Sequence, residues 1–309
     1  MKKILLDMLV CPVCLPEEIR LVERIEEGHG EDIITGSLRC SGCGRDFRIE
    51  KGIALLDPGQ NCTGNKYETP PVVSSYLWSH YCDLMKEENS SEAYREWADL
   101  MRPHDGISVD TGCAVGRFAF EMTRKSDFVI GLDTSLAFVH AARELMLHRH
   151  LHITLKEEGH LTRTVEFEPP VEWDSRKVEF IVADALALPL KANTASSMAS
   201  LNLVDKIPVP MKHLLEVDRV TRRERAQFLL SDPFSWSEEA APESNWLGGQ
   251  KQGSYTSRGQ EHIMQILSGQ GGLLHRTWKT ESHGHIWWKI RTHANHYEQI
   301  RSCYIKAAR

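Results

Sequence analysis

Short apolar runs alternate with helical patterns through the second half of the chain. The runs ISVD, FVIGLD and VEFIVAD are compact and rich in β-branched residues, which is typical of buried parallel strands. Between them, RFAFEMTRK and the stretch from Ser135 to His150 place apolar residues at three- and four-residue spacing, as helices do. SSMASLNLV and RAQFLLSD supply two more strands. Strands that alternate with helices predict an α/β fold built on a Rossmann-like sheet with helices on both faces.

Two further patterns flank this alternation. The stretch from Val72 to Leu100 predicts one helical segment that caps the α/β domain and contributes to a substrate site. Residues 151–170 read as two runs of alternating polarity around Glu158 and Gly159, which predicts a hairpin inserted in the fold.

Proline and glycine mark the domain boundaries. Leu56-Asp57-Pro58-Gly59 interrupts any regular element and follows a segment rich in cysteine, glycine and charge. We therefore expect a small domain over residues 1–58, a linker and helical cap over 59–102, and the large domain over 103–309.

The charge and hydropathy of the chain make nucleic acid and membranes unfavourable as partners. The 37 Lys and Arg residues against 43 Asp and Glu residues give a net charge of −6, so no global positive field attracts nucleic acid or an anionic membrane. The chain has no apolar run long enough to span a bilayer, and its first ten residues lack a signal-peptide cleavage site. We expect a cytoplasmic protein with a small-molecule substrate and no membrane partner.

Four cysteines in the small domain form two C-x-x-C pairs. Such pairs present four thiolates to one tetrahedral ion, and a domain of this size has little core of its own. The spacing predicts a structural zinc ribbon, with a redox-active pair as the alternative. The proposed ligands are Cys11, Cys14, Cys40 and Cys43. The surrounding segments LLDMLVCPVC and LRCSGCGRDFRIEKGIALLDP resemble the small zinc-ribbon proteins that activate methyltransferases, which implies that this domain stabilises the catalytic one.

A glycine-containing turn follows the first strand of the large domain. Small side chains in DTGCAVG let backbone amides approach a ligand, and acidic residues end the next two strands at Asp133 and Asp184. Ala114 stands where a third glycine is usual, and we expect its φ to remain negative. The order resembles class I S-adenosylmethionine (SAM) methyltransferases, with a nicotinamide dehydrogenase as the competing reading. The resemblance implies a SAM site that comprises Asp110, Gly112, Cys113, Ala114, Gly116, Arg117, Asp133, Thr134, Asp184, Ala185 and Asn202.

Several segments resemble one methyltransferase family more narrowly. SYLWSHY, DPFSWSEEAAPESNWLGG and the terminal WWKIRTHANHYEQIRSCYIKAAR look like the methyltransferase domain of ovothiol-synthesising enzymes. That resemblance implies N-methylation of an imidazole in a thiohistidine, with ovothiol A as the product. An imidazole needs to be oriented, and its second ring nitrogen held, more than it needs a strong base. The candidates for the acceptor site are Tyr76, His80, Tyr81 and Asp205.

Two other functions compete with this one. Ribosomal RNA guanine methyltransferases also join an N-terminal cysteine site to a class I domain, but the net negative charge makes a large RNA substrate unfavourable. A non-catalytic interaction protein built on the zinc ribbon is the third hypothesis, and it predicts that SAM does not bind.

Overall fold

The computed structural model describes residues 1–59 and 66–309. Its strands are β1 (Leu21–His29), β2 (Asp32–Cys40), β3 (Asp46–Glu50), β4 (Ile53–Ala54), β5 (Ile107–Thr111), β6 (Phe128–Asp133), β7 (Leu151–Glu158), β8 (Leu161–Phe167), β9 (Val178–Val182), β10 (Ala195–Leu201), β11 (Gln227–Asp232), β12 (Lys279–His293) and β13 (His296–Ala308). The α-helices are α1 (Pro70–Tyr81), α2 (Ala93–Asp99), α3 (Arg117–Met122), α4 (Leu136–His148), α5 (Pro210–Val220) and α6 (Gly259–Leu267).

The central sheet has seven strands in the order β12-β13-β11-β10-β5-β6-β9. Five of them, from β11 to β9, run parallel, and β13 pairs antiparallel with β11. The chain winds outward from β5 through β6 to β9 and then returns to β10 on the other side. The strand order therefore reverses between β5 and β10, and ligands of open α/β sheets bind in the crevice at such a point. The Rossmann-like α/β architecture is confirmed.

The small N-terminal domain is a four-stranded antiparallel sheet in the order β1-β2-β3-β4. Its last strand lies against the β9 edge of the central sheet, where the amide of Leu56 donates to the carbonyl of Val182 at 2.7 Å. A second contact pairs Leu9 with Leu190. Leu5 and Phe47 of the small sheet are completely buried and belong to the same apolar core as strands of the large domain.

The helical cap differs from the single element predicted over Val72 to Leu100. The structure has two helices, α1 and α2, separated by turns in which Lys86 and Asn89 adopt positive φ values of 55° and 59°. A residue with a left-handed backbone conformation cannot continue an α-helix. The segment EENSS, which contains Asn89, therefore interrupts the helix that the sequence predicted over Val72 to Leu100.

A hairpin formed by β7 and β8 connects α4 to β9. Ile153 and Leu155 point into the core on one face of β7, and His152 is exposed on the other. The hairpin packs against α1, the helix that carries Tyr76 and His80.

Candidate cofactor and acceptor site

The turn after β5 requires glycine at two positions. Gly112 and Gly116 have φ values of 71° and 85°, in the left-handed region that side chains disfavour. A Cβ on Gly116 would lie 2.7 Å from the ring of Phe180, and one on Gly112 would lie 3.0 Å from Leu203. The glycines thus let the turn approach the sheet closely at the start of α3.

Ala114 corrects the sequence-based expectation that its φ would be negative. The observed φ is 44°, so this alanine occupies a left-handed conformation that costs about 1–2 kcal/mol for an L-residue. Its amide donates to Oδ2 of Asp133 at 2.9 Å. Strained backbone held by a specific contact is a feature of ligand-binding turns.

Two carboxylates line the same cavity at the ends of β5 and β6. Burial, with the nearby charge of Asp133, raises the pKa of Asp110 to about 8, while the amide of Ala119 acts in the opposite direction. Burial also raises the pKa of Asp133 to about 6, although the amides of Ser135 and Ala114 lower it. Burial of two ionised carboxylates costs free energy unless they have partners. A ligand that carries a positive charge and hydroxyl donors would supply those partners.

The cavity has a volume of about 430 Å³ and opens at the strand-order reversal between β5 and β10. It brings together nine of the residues predicted from sequence. They are Tyr76, His80, Asp110, Gly112, Cys113, Ala114, Asp133, Thr134 and Asn202.

His80 forms part of the cavity wall and is only 3 % exposed. Its ring stacks on Tyr94 at a centroid distance of 3.9 Å. Burial and the charge of Arg117 lower the pKa of His80 well below 6.5, so the imidazole is neutral. Neither ring nitrogen has a hydrogen-bond partner among the described residues. A neutral imidazole with two free nitrogens offers one donor and one acceptor to a ligand.

Asn202 follows β10 on the opposite side of the cavity. Its Oδ1 accepts a hydrogen bond from the hydroxyl of Ser302, and this contact fixes the amide plane. Its Nδ2 has no partner within the part of the chain that the structure describes. The side chain therefore presents an N–H donor whose orientation is set by β13.

Arg117 does not occupy the cofactor-binding position that the sequence suggested. Its guanidinium is 1 % exposed and binds Asp83 at 2.7 Å and Glu121 at 2.9 Å, behind the cavity wall. It also donates to the carbonyl of His80 at 2.8 Å. Arg117 therefore connects α1 to α3 and supports the backbone at His80.

Tyr81 and Asp205 also lie behind the surface of the cavity. The hydroxyl of Tyr81 donates to the carbonyl of Val115 at 2.7 Å, and the ring stacks on Phe167. Asp205 is 1 % exposed, and its Oδ2 accepts from the amide of Ser235 at 2.7 Å. Oδ1 of Asp205 has no hydrogen-bond partner among the described residues. Neither residue is among those that line the cavity, and their assignment to the acceptor site stays a prediction.

Asp184 follows β9, and its carboxylate accepts from the amide of Leu186 at 2.8 Å. Burial raises its pKa above the ordinary value. Neither Asp184 nor Ala185 is among the described residues that line the cavity, and the carbonyl of Ala185 lies 3.2 Å from Nδ1 of the buried His213. Their assignment to the cofactor stays a prediction, as does that of Gly116, which precedes α3.

Sequence reasoning missed much of the acceptor-side wall. The long hairpin β12–β13 and helix α2 supply several lining residues, and Phe138 of α4 is another. The missed residues include Tyr94, Trp288, Ile290, Glu298 and Ile300. Ile286, Trp288 and Ile290 alternate with polar or exposed positions, and this period of two was the signal for a strand.

In the small domain, the four cysteine sulfurs lie within 4.8 Å of one another. The Cys11–Cys43 and Cys14–Cys40 sulfur pairs are 3.8 and 3.6 Å apart, and a tetrahedral zinc with bonds of about 2.3 Å separates its sulfurs by about 3.8 Å. Burial raises the pKa of the Cys40 thiol, but the amides of Cys43 and Gly42 outweigh it and lower the pKa to about 7. The donor set therefore fits one Zn²⁺.

Comparisons with known proteins agree with this two-part architecture. Residues 2–52 match the family of Trm112p-like proteins, and residues 109–225 match the family described as a methyltransferase domain. Residues 109–225 therefore form a methyltransferase domain. The enzyme class and the separate small N-terminal domain predicted from sequence are confirmed.

Several solved structures align with part of the chain at low sequence identity. A SAM-dependent methyltransferase from Aquifex aeolicus is 13 % identical, with a TM-score of 0.45 over 77 % of this chain and 97 % of that one. The complex of the Haloferax volcanii Trm112 methyltransferase activator with a methyltransferase gives 14 % identity and a TM-score of 0.45 over 76 % and 96 %. Phosphoethanolamine N-methyltransferase 2 of Haemonchus contortus, with bound SAM, gives 17 % and 0.44 over 73 % and 46 %. No curated protein matches the chain significantly.

Within the described residues, the methyltransferase has no helix that is long and apolar enough to cross a membrane.

Proposed function

We propose that this methyltransferase transfers the SAM methyl group to a nitrogen of a small imidazole, with 5-thiohistidine, which would become ovothiol A, as the specific acceptor. The observation that carries the proposal is a single cavity lined by the glycine turn, Asp133, His80 and Asn202. The identity of the acceptor rests on the sequence resemblance alone.

The size of the cavity favours a small acceptor. Small-molecule pockets enclose about 300–1,000 Å³, and this one of about 430 Å³ has to hold the cofactor and the acceptor together. The β12–β13 hairpin and α1 wall the acceptor side with Trp288, Ile300 and Tyr76. A nucleotide within a folded RNA needs a wider entrance and a basic surface.

The residues of the glycine turn would hold the cofactor. Asp133 has both oxygens fixed by amides and lies where ribose hydroxyls can donate to it. Asp110 adds a buried carboxyl group, protonated below about pH 8 in the free protein, whose ionised form a cationic ligand would favour. SAM supplies an electrophilic methyl group on a sulfonium sulfur.

The acceptor residues act by orientation. An imidazole nitrogen with a free lone pair attacks the methyl carbon, the carbon–sulfur bond breaks, and its electron pair stays on sulfur. His80 is neutral and hydrogen-bonds the second ring nitrogen, which selects the tautomer that presents the lone pair to the methyl group. The proton of the methylated ring leaves to water, because the lowered pKa of His80 makes it a weak base.

The test is SAM turnover by the full chain with 5-thiohistidine, histidine and an rRNA hairpin in parallel, and product detection by mass spectrometry. We expect methylated 5-thiohistidine only. Methylation of the hairpin alone would replace this proposal with the rRNA methyltransferase alternative. No turnover despite SAM binding would refute 5-thiohistidine as the acceptor and widen the search to other small thiols and imidazoles.

Two neighbouring tryptophans provide a matched pair of variants. Trp288 is 6 % exposed and lines the cavity, whereas Trp287 on the same strand is 48 % exposed and points away. Trp288→Ala should raise the KM for the acceptor at least tenfold and leave the SAM affinity within about threefold. Trp287→Ala should change neither, and equal effects of both variants would place the acceptor elsewhere.

For the small domain, we propose one structural Zn²⁺ bound by the four cysteines. Metal analysis should find that Cys40→Ser lowers the zinc content of the full chain by one equivalent. A zinc-free protein with an unchanged unfolding curve would contradict this.

A further inference from the structure

A second cluster of possible metal ligands lies on the β7–β8 hairpin, away from the four cysteines. His150, His152 and Glu166 each offer one ligand atom, and these atoms lie within 4.8 Å of one another. Side chains two residues apart in an extended chain point to the same side, and the imidazoles of His150 and His152 stack at a centroid distance of 4.4 Å. Glu166 is the direct cross-strand partner of His152.

The distances suit a first-row divalent ion. Nδ1 of His152 lies 2.9 Å from one oxygen of Glu166, and Nε2 of His150 lies 3.7 Å from the other. Ligands bound at about 2.0–2.1 Å in a tetrahedron are separated by about 3.3 Å, a value between these two. Small side-chain rotations therefore bring the three groups to bonding distance of one ion.

The present contacts leave one group unsatisfied. Nε2 of His150 is buried and has no hydrogen-bond partner in the part of the chain that the structure describes, because 3.7 Å from Glu166 is too long for a hydrogen bond. An ion between the two side chains would satisfy this nitrogen. His152 and Glu166 are 64 % and 59 % exposed, so an ion can reach them from solvent.

We propose that His150, His152 and Glu166 bind a divalent transition-metal ion, of which Zn²⁺ is the best fit for two imidazoles and one carboxylate. Water fills the fourth position. The ion joins the beginning of β7 to the end of β8, and it therefore closes the open end of the hairpin that packs against α1. The site is separate from the proposed acceptor chemistry and does not depend on it.

The experiment is Zn²⁺ titration of the full chain by calorimetry, after one equivalent has been added to load the cysteines. The variants are His152→Gln and Glu166→Gln, and His160→Gln is the matched control because it lies at the tip of the same hairpin. We expect one further ion to bind to the unmodified chain with a micromolar or lower Kd. Each ligand variant should weaken it at least tenfold, and the control should not.

Amide hydrogen exchange gives a second readout. Zn²⁺ should slow exchange in β7 and β8 of the unmodified chain and of His160→Gln, but not in Glu166→Gln. Equal binding by the ligand variants and the unmodified chain, or a second Kd weaker than about 100 µM, would overturn the site in favour of an ordinary His–Glu ion pair.

Discussion

Replacement of Asp110 by asparagine should change both the pH dependence of the free energy of unfolding and the affinity for SAM. Asp110 is 2 % exposed, and its pKa of about 8 lies some four units above the ordinary 3.8. Because the pKa is raised, the folded state keeps a proton that the unfolded state has lost between about pH 4 and pH 8. The free energy of unfolding therefore falls as the pH rises through this window, by about 1.4 kcal/mol per pH unit from this group.

Asparagine cannot ionise, so Asp110→Asn removes this dependence. Between about pH 5 and pH 8 the unfolding free energy of the variant should rise by about 4 kcal/mol relative to that of the unmodified protein, and it should level off above. Urea unfolding at several pH values measures the difference, which includes any change that the loss of Asp110 makes to the titration of the neighbouring Asp133. SAM affinity should fall in the same variant above about pH 8, where Asp110 of the unmodified protein is ionised and its negative charge favours a cationic ligand.

The control is Asp7→Asn, at an exposed carboxylate of the small domain. Its unfolding profile should parallel that of the unmodified protein. The difference in unfolding free energy between Asp110→Asn and the unmodified protein could instead stay constant with pH. That result would show that the pKa of Asp110 is not raised in the folded state. The assignment of this carboxylate to a cation-binding site would then lose its physical basis.

Three further variants test the cofactor turn and the junction beside it. Asp133→Ala should weaken SAM at least tenfold in calorimetry, because the carboxylate that orders the turn is removed, and an unchanged Kd would exclude it from the site. Ala114→Gly should raise the free energy of unfolding by about 1 kcal/mol in urea, because glycine tolerates a φ of 44°, whereas a fall would mean that the strain is absent. Glu179→Gln should lower that free energy by about 3 kcal/mol, because it removes the buried charged partner of Arg143 and leaves only the partly exposed Asp32 at 3.6 Å, and Glu168→Gln at an exposed site should not.

The sheet was predictable because its parallel strands are buried on both faces. A strand such as β6, in which every residue but the last is buried, must be apolar throughout, and that run is legible in a single sequence. The turn after β5 was predictable for a related reason. Its backbone lies so close to Leu203 and Phe180 that Gly112 and Gly116 leave no room for a side chain. The positive φ of Ala114 was not predictable, because alanine carries no local signal for it.

The acceptor wall was less predictable because its residues come from elements far apart in sequence. Tyr94 reads as ordinary helix packing, and only its contact with His80 reveals a position in the cavity. Arg117 directly follows the glycine turn, which suggested a ligand contact. Its partner Asp83 lies in the irregular segment after α1, and no local pattern predicts that pairing.

The position of the small domain gives a physical reason for it to affect the cofactor site. An exposed parallel edge strand leaves backbone groups unpaired, and the Leu56–Val182 hydrogen bond satisfies one of them on β9. Asp184, which the sequence resemblance assigns to the SAM site, lies two residues beyond Val182, just after the end of β9. Loss of zinc would loosen the small domain, release this edge and let Asp184 move. The small domain would therefore affect the SAM site through β9, the strand to which it is hydrogen-bonded, without contacting SAM itself.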